Sequence, residues 1–155
     1  EQYCDRSLRS PLGHGTVLRY LLRPSRARLL LNHDVTQGRR GDPGRVIRDD
    51  LRALRDIHIR RLRDPARNYE ARLAYLQGDV PGAVRAFRES TQQFAQLGLL
   101  EEAARERFAL GCLLEGEVGA RMRASAQAES LAIGIVNPRA MLHSSYPEIL
   151  IDTGF

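Results

Sequence analysis

The sequence predicts an all-helical protein built from antiparallel helical hairpins. Residues 65–115 carry the clearest signal, because their apolar residues recur at the three- and four-residue spacing of an α-helix. Glycine and proline residues interrupt this pattern at helix-length intervals, and no segment shows a convincing strand pattern. Two amphipathic helices joined by a short turn should lie antiparallel and bury their facing stripes.

The central hairpin is predicted between Tyr69 and Gly98. Its first helix is amphipathic and is stopped by Gly78-Asp79. Its second helix has a longer apolar stripe with a period of about 3.6 residues. The stripe of the first helix is Tyr69, Leu73 and Leu76, and that of the second is Val80, Ala83, Val84, Phe87, Thr91, Phe94 and Leu97.

A helix is also predicted upstream, over residues 45–63. Its apolar face carries Ile47, Leu51, Leu54, His58 and Leu62. A charged stripe flanks this face and consists of Arg48, Arg52 and Arg55. Asp64-Pro65 then begins the next helix, because aspartate is a favourable N-cap and proline fits the first helical position.

Three further helices are predicted downstream. The first runs from Leu99 to Gly116, which closes it. Its buried stripe is Leu100, Ala103, Ala104, Phe108, Gly111 and Leu114. An alanine-rich helix follows over residues 118–133, with Met122 and Ala126 facing inward. Asn137-Pro138 begins a last short helix, in which Met141 and Leu142 are placed to cover the preceding hairpin.

The chain is expected to have three parts. Residues 1–44 form a poorly defined segment with one or two helices, one of them capped by Ser25 and carrying Leu29, Leu30 and Leu31. Residues 45–144 form the helical domain, and residues 145–155 form a loose C-terminal tail. The chain begins at Glu1 rather than at methionine, so we expect it to belong to a longer protein.

The basic residues are unusual, since all 24 are arginine and none is lysine. This excludes the lysine of a phosphate-binding loop, the strand lysine of a kinase and a Schiff-base lysine. Residues 1–77 carry 17 arginines against 9 carboxylates, net +8, whereas residues 78–155 carry 7 against 10, net −3. The basic half could attract nucleic acid or an acidic partner, or it could be a solvated face.

No feature of the sequence indicates a membrane or a disulfide framework. No apolar run approaches the roughly 18 residues that a membrane helix needs. Cys4 and Cys112 are 108 positions apart, and two cysteines are few for a disulfide scaffold. We therefore expect a cytoplasmic protein with two free thiols and no contact with a membrane.

Motifs that resemble catalytic sites are incomplete. Residues 13–17, Gly-His-Gly-Thr-Val, lack the third glycine and the strand lysine of a kinase phosphate loop. Asp64 and Asn68 are four positions apart where a kinase catalytic loop needs five. The four histidines lack partners at the spacing of a closed metal site; they are His14, His33, His58 and His143. We expect no catalytic residue, cofactor or metal in this chain.

Two elements of the chain resemble known helical regions. Gly78, Ala83 and Phe87 have the small, small and aromatic spacing of the middle of a tetratricopeptide repeat. A second, degenerate unit surrounds Gly111, and Gly116 follows Gly78 by 38 residues, within the range of a helical array. The resemblance implies a short stack of hairpins, an α-solenoid.

Residues 45–141 also resemble the C-terminal tetratricopeptide-like region of large bacterial serine/threonine protein kinases. That region often closes on a Gly-x-x-Asn-Pro-x-x-Met element. Here the element is Gly134, Asn137, Pro138 and Met141. The resemblance implies a module downstream of a kinase domain that recruits substrates or regulates the kinase.

The leading hypothesis is a non-catalytic protein–protein interaction scaffold. Arginine can clamp a carboxylate with two hydrogen bonds, so Arg48, Arg52 and Arg55 are the candidate contacts for an acidic peptide. The alternative is a tetratricopeptide-like region of a nucleic-acid-associated transcriptional regulator that uses the arginine-rich first half. A homo-oligomer is a third possibility, and nucleic acid is the less favoured partner.

Overall fold

The structure is a computed structural model that describes residues 26–31, 43–55 and 65–149. These residues form helices joined by turns, with no strand among them, which confirms the all-helical prediction. The chain divides into two compact units, residues 1–69 and 70–155. The stacking of hairpins as a tetratricopeptide-like array and the predicted boundaries after residues 44 and 144 stay predictions.

Six helices have defined bounds within the described residues. They are α1 (Pro43–Arg55), α2 (Pro65–Leu76), α3 (Val80–Gln96), α4 (Leu100–Leu113), α5 (Gly116–Ala132) and α6 (Pro138–Ser145). Residues 26–31 and 147–149 are helical as well. Helix α2 begins at Pro65, as predicted, whereas its expected N-cap Asp64 lies outside the described residues.

In the first unit, α1 buries the apolar face that its periodicity predicted. Among the described residues of this unit, the buried apolar side chains are Ala27, Leu30, Leu31, Ile47, Leu51, Leu54 and Ala66. Leu29 is 43% exposed, so the predicted apolar face of the first helical segment is wrong at that residue. Arg26 binds the buried Asp50 through two hydrogen bonds, Nε to Oδ2 at 2.7 Å and Nη2 to Oδ1 at 2.5 Å.

Local chemistry sets several helix ends as predicted. Gly78 and Gly98 have φ angles of +83° and +70°, and this left-handed conformation, which glycine adopts readily, follows α2 and α3. Asp79 accepts a hydrogen bond from the Gly82 amide at 2.9 Å and so caps α3. Asn137 caps α6 in the same way, accepting from the Ala140 amide at 3.0 Å.

The predicted role of Gly116 is wrong. Helix α4 already ends at Leu113, Leu114 is extended, and Gly116 is the first residue of α5 with a φ of +66°. The turn needs a left-handed residue, but that residue begins the next helix and does not end the previous one. Sequence alone does not distinguish these two positions for glycine.

The core of the second unit joins residues from α2 to α6 with the segment that follows α6. Its buried members are Ala71, Phe87, Phe108, Ala109, Leu110, Ala126, Leu142, Tyr146 and Ile149. The inward position predicted for Ala126 is confirmed, and Met122 and Met141 pack against this core. The predicted stripes are wrong at Val80 and Leu100, which are 39% and 59% exposed in the first turns of their helices.

The expected loose tail is also wrong in its described part. Tyr146, Glu148 and Ile149 are all at least 96% buried, although their spacing follows no helical stripe. The physical reason is that this segment is held by side chains from distant helices rather than by a periodic face of its own. Residues 150–155 lie outside the described residues.

Two glycines, Gly111 of α4 and Gly119 of α5, lie at the contact between these helices. A Cβ on Gly119 would lie 2.7 Å from the Gly111 carbonyl oxygen, and a Cβ on Gly111 would lie 3.0 Å from the Gly119 carbonyl oxygen. These distances leave no room for a side chain on either backbone. The pair therefore fixes the separation of the two helices by direct backbone contact.

Candidate functional site

The predicted arginine stripe lies on the exposed side of α1. Arg48, Arg52 and Arg55 are all exposed, and Arg52 lies 3.3 Å from the exposed carboxylate of Asp49. An exposed pair at this spacing contributes roughly 0.2–1 kcal/mol, because water screens both charges. Such a pair leaves the guanidinium available to a partner that supplies a better carboxylate or phosphate.

The second unit carries an open groove that the sequence did not predict. It is formed by α4 and α5 and has a volume of about 460 Å³. Its lining consists of Arg107, Val118, Arg121, Met122 and Ser125. Val118 is 58% exposed, so the groove that two arginines line also presents an apolar side chain to solvent.

Both arginines of this groove have carboxylate neighbours. Arg107 donates a hydrogen bond to Glu129, and Arg121 lies 3.5 Å from Glu117 one helical turn away. The Arg121 and Glu117 side chains are 71% and 79% exposed, which makes their attraction weak. A partner carboxylate can therefore compete for Arg121 at low cost.

A buried ion pair joins α2 to the C-terminal segment. Arg72 donates from Nε to Glu148 Oε1 at 2.5 Å and from Nη2 to Oε2 at 2.9 Å. Both side chains are only 1% exposed. This is the two-bond clamp of arginine on a carboxylate, and it occurs inside the chain.

Tyr146 lies beside this pair. Its hydroxyl donates to Glu106 Oε1 at 2.7 Å, and its ring meets Phe87 edge-on with centroids 5.8 Å apart. The Arg72 guanidinium carbon is 5.6 Å from the centre of the Tyr146 ring, within cation–π range. Burial, followed by the negative charge of Glu106, raises the pKa of Tyr146 well above its ordinary value of 10.0.

The predicted structural residues occupy separate places. Ala83 and Phe87 are fully buried in α3, Gly111 lies at the α4–α5 contact, and Asn137 and Pro138 begin α6. Phe87 meets the ring of Tyr146 edge-on. Gly78 forms the turn after α2.

Sequence reasoning missed the cluster of Arg72, Glu106, Tyr146 and Glu148. A signal was present, since Arg72 follows Ala71 and precedes Leu73 within an apolar pattern, and Glu148 lies between Tyr146 and Ile149. A charged residue inside an apolar run is buried only when it is paired. Periodicity does not show which distant residue is the partner.

Other predicted features fall partly outside the described residues. Cys4, His14, His33, His58 and the segment 13–17 are among these, whereas His143 is described and exposed. Within the described ranges, no three His, Cys, Asp or Glu side chains are grouped to hold a metal ion.

No family model, curated protein or solved structure matches this chain. Among helices in the described parts, none combines the length and apolar character needed to cross a membrane.

Proposed function

We propose that this chain is a non-catalytic protein-interaction scaffold that binds an acidic, partly apolar segment of a partner protein. The observation that carries the proposal is the α4–α5 groove, whose lining combines the exposed Val118 with Arg107 and Arg121. Apolar contact supplies burial, and arginine supplies directed hydrogen bonds to carboxylates. In keeping with the resemblance to kinase C-terminal regions, the module recruits substrates or regulates a kinase domain in a longer protein.

The groove is suited to a side-chain anchor rather than to a small reactive molecule. Its volume of about 460 Å³ accommodates several side chains, and it is open to solvent. Two arginines line it together with a serine hydroxyl and two apolar side chains. An amphipathic helix or an extended segment with Leu or Ile near Asp or Glu matches this chemistry.

Fluorescence anisotropy with labelled twelve-residue peptides tests the proposal. An acidic peptide rich in Glu and Leu should bind the chain, and a basic peptide of equal hydrophobicity should not. Arg121→Glu should weaken binding of the acidic peptide by about tenfold or more, which corresponds to about 1.4 kcal/mol. Arg88→Glu, an exposed change on α3, is the matched control and should leave binding unchanged. Equal binding by the two variants would reject the groove as the site.

The exposed stripe Arg48, Arg52 and Arg55 favours a second candidate, nucleic-acid binding by the first unit. Phosphate contacts release counterions, so affinity for a DNA or RNA duplex should fall steeply as salt concentration rises. Replacing all three arginines with glutamine should reduce the slope of log K against log salt by about three. A slope unchanged by these substitutions would exclude the stripe as a phosphate-binding surface.

A further inference from the structure

The segment 146–149 is held in the second unit mainly through side chains. Tyr146, Glu148 and Ile149 are 4%, 3% and 0% exposed. Arg72 from α2, Phe87 from α3 and Glu106 from α4 provide the contacts to Tyr146 and Glu148. These three helices therefore form a pocket that recognises an aromatic hydroxyl and a carboxylate two residues further on.

A short connector links this segment and α6 to the rest of the unit. Residues 133–137 separate α5 from α6, and Gly134 within them has a φ of +92°. Glycine tolerates either sign of φ, so the connector can change direction with little steric cost. Five residues extend at most about 17 Å, enough for α6 to leave its own pocket and reach an adjacent molecule.

Exposed apolar side chains concentrate at this connector. Leu131 is 52% exposed, Ile133 is 42% exposed and Val136 is 94% exposed. They lie within six positions of one another, at the end of α5 and in the connector. Contact between two such connectors would remove these side chains from water and add burial that a single copy lacks.

We propose that two copies of this chain exchange α6 and the segment 146–149, with residues 133–137 as the hinge. Each copy then places its Glu148 on the Arg72 of its partner copy and its Tyr146 on the partner's Glu106. The Arg72–Glu148 and Glu106–Tyr146 contacts are kept, and the loss is confined to hinge hydrogen bonds such as those of Gly134 with Leu131 and of Ile135 with Ser130, which makes such an exchange a low-cost route to a dimer. The two connectors meet at the new interface and cover Leu131, Ile133 and Val136.

This inference does not depend on the α4–α5 groove. The groove residues Val118 and Arg121 belong to α5 before the hinge, and they take no part in the contacts that are exchanged. The Arg121→Glu variant can therefore lose acidic-peptide binding and still form the exchanged dimer. Conversely, a chain that fails to exchange can still bind the peptide in the groove.

Charge reversal across the Arg72–Glu148 pair tests the exchange. The full chain carrying Arg72→Glu has two carboxylates facing each other, both within one copy and in a dimer of identical copies. The full chain carrying Glu148→Arg has two guanidinium groups there. In an exchanged dimer of the two variants, both reversed contacts become opposite in sign. Each variant alone should lose most of its association, and mixing the two should restore it.

Native mass spectrometry and sizing provide the measurement. We expect a mixed species of about 35 kDa, twice the 17.5 kDa of one chain, in at least tenfold excess over either variant's own dimer. The matched control is the chain carrying both Arg72→Glu and Glu148→Arg, which restores the pair within one copy and should behave as wild type. Monomers alone after mixing, while this control is folded, would overturn the proposal.

A second measurement covers the case in which the control does not fold. Wild-type chains with light and heavy isotopes are mixed at high concentration, warmed to just below the unfolding midpoint and cooled. A dimer containing one light and one heavy chain supports the exchange. If the Val136→Asp chain, treated in the same way, remains monomeric, the connectors form the interface. If the warmed and cooled wild-type mixture contained monomers and no dimer, the proposal would be overturned.

Discussion

Helix α4 contacts both α5 and the segment 146–149, and the two contacts differ in their chemistry. With α5, the backbones themselves meet at Gly111 and Gly119. With the segment, the Tyr146 hydroxyl donates to Glu106, and Arg72 clamps Glu148 close by. One contact thus uses the absence of side chains, and the other uses large polar side chains.

The difference shows that steric contact and polar contact specify different things. A glycine pair sets a distance between two helices, and any added carbon disrupts it. A buried ion pair adds little net stability compared with apolar packing, because both ions lose their hydration. The buried pair does disfavour any segment that leaves the Arg72 guanidinium without a carboxylate, so it specifies which segment occupies the pocket.

Glu148→Ala is expected to have the largest effect on stability. It leaves the Arg72 guanidinium buried without its carboxylate, and breaking one side of a buried pair costs about 3–5 kcal/mol. Urea unfolding at neutral pH, followed by circular dichroism, measures the free energy of unfolding. Glu117→Ala removes an exposed carboxylate and should change it by less than about 0.5 kcal/mol.

The double variant Arg72→Met with Glu148→Leu sharpens this result. Apolar residues of similar volume avoid the desolvation of two ions, so its stability should return to within about 1 kcal/mol of wild type. A loss as large as that of Glu148→Ala would show that the ion pair is strongly stabilising, contrary to the small net stability expected of a buried ion pair relative to apolar packing.

Gly119→Ala is expected to cost about 3 kcal/mol. The new Cβ would meet the carbonyl oxygens of Gly111 and Leu114, which belong to the backbone and cannot rotate away. Ala124→Gly, an exposed change on the same helix, measures helix propensity alone and should cost about 1 kcal/mol. Thermal and urea unfolding of both variants give the comparison. A stabilised Gly119→Ala protein would mean that α4 and α5 are not in backbone contact.

Tyr146→Phe is expected to cost about 1–3 kcal/mol at neutral pH. It keeps the ring against Phe87 but removes the donor to Glu106, which leaves a buried carboxylate oxygen without this hydrogen bond. The measurement is again urea unfolding. An unchanged free energy of unfolding would show that the hydrogen bond from the Tyr146 hydroxyl to Glu106 does not stabilise the fold.

The pH dependence of the same two proteins tests the environment of Tyr146. Burial, and next the charge of Glu106, raise its pKa well above 10.0 in the folded state. The unfolded chain therefore binds fewer protons than the folded chain once the pH exceeds about 10, so stability falls as pH rises beyond that value. Tyr146→Phe should remove this part of the slope. No lysine titrates in the same range, since the chain has none.

Arg121→Gln is expected to have the smallest effect on stability, less than about 0.5 kcal/mol, because its side chain and that of Glu117 are mostly exposed. The same substitution should weaken acidic-peptide binding in the anisotropy assay. A protein that is clearly destabilised would instead assign Arg121 a structural role.

Local chemistry accounts for what could be predicted from the sequence. Gly78, Gly98 and Asn137-Pro138 mark helix ends through their own conformational preferences, and the stripe of Ile47, Leu51 and Leu54 follows from periodicity. The prediction that Gly116 ends a helix is wrong because a left-handed glycine is compatible with either side of a turn.

Contacts between distant residues account for what could not be predicted. Arg72 and Glu148 are 76 positions apart, and no short-range pattern connects them. The α4–α5 groove likewise depends on how two helices are placed, which is set by Gly111 and Gly119. By contrast, the shared exposed face of Arg48, Arg52 and Arg55 could be predicted, because it depends only on the periodicity of a single helix.

The separation of Arg72 from Glu148 also matters while the protein is being made. A ribosome releases the chain from its amino terminus, so Arg72 and Phe87 leave the exit tunnel well before Tyr146 and Glu148 do. During that interval the pocket between α2, α3 and α4 lacks its occupant and presents an aromatic ring beside a hydrated guanidinium. A nonsense mutation upstream of the codon for Tyr146 leaves this pocket permanently unoccupied. The shortened product then exposes the kind of apolar surface that chaperones and proteases act on.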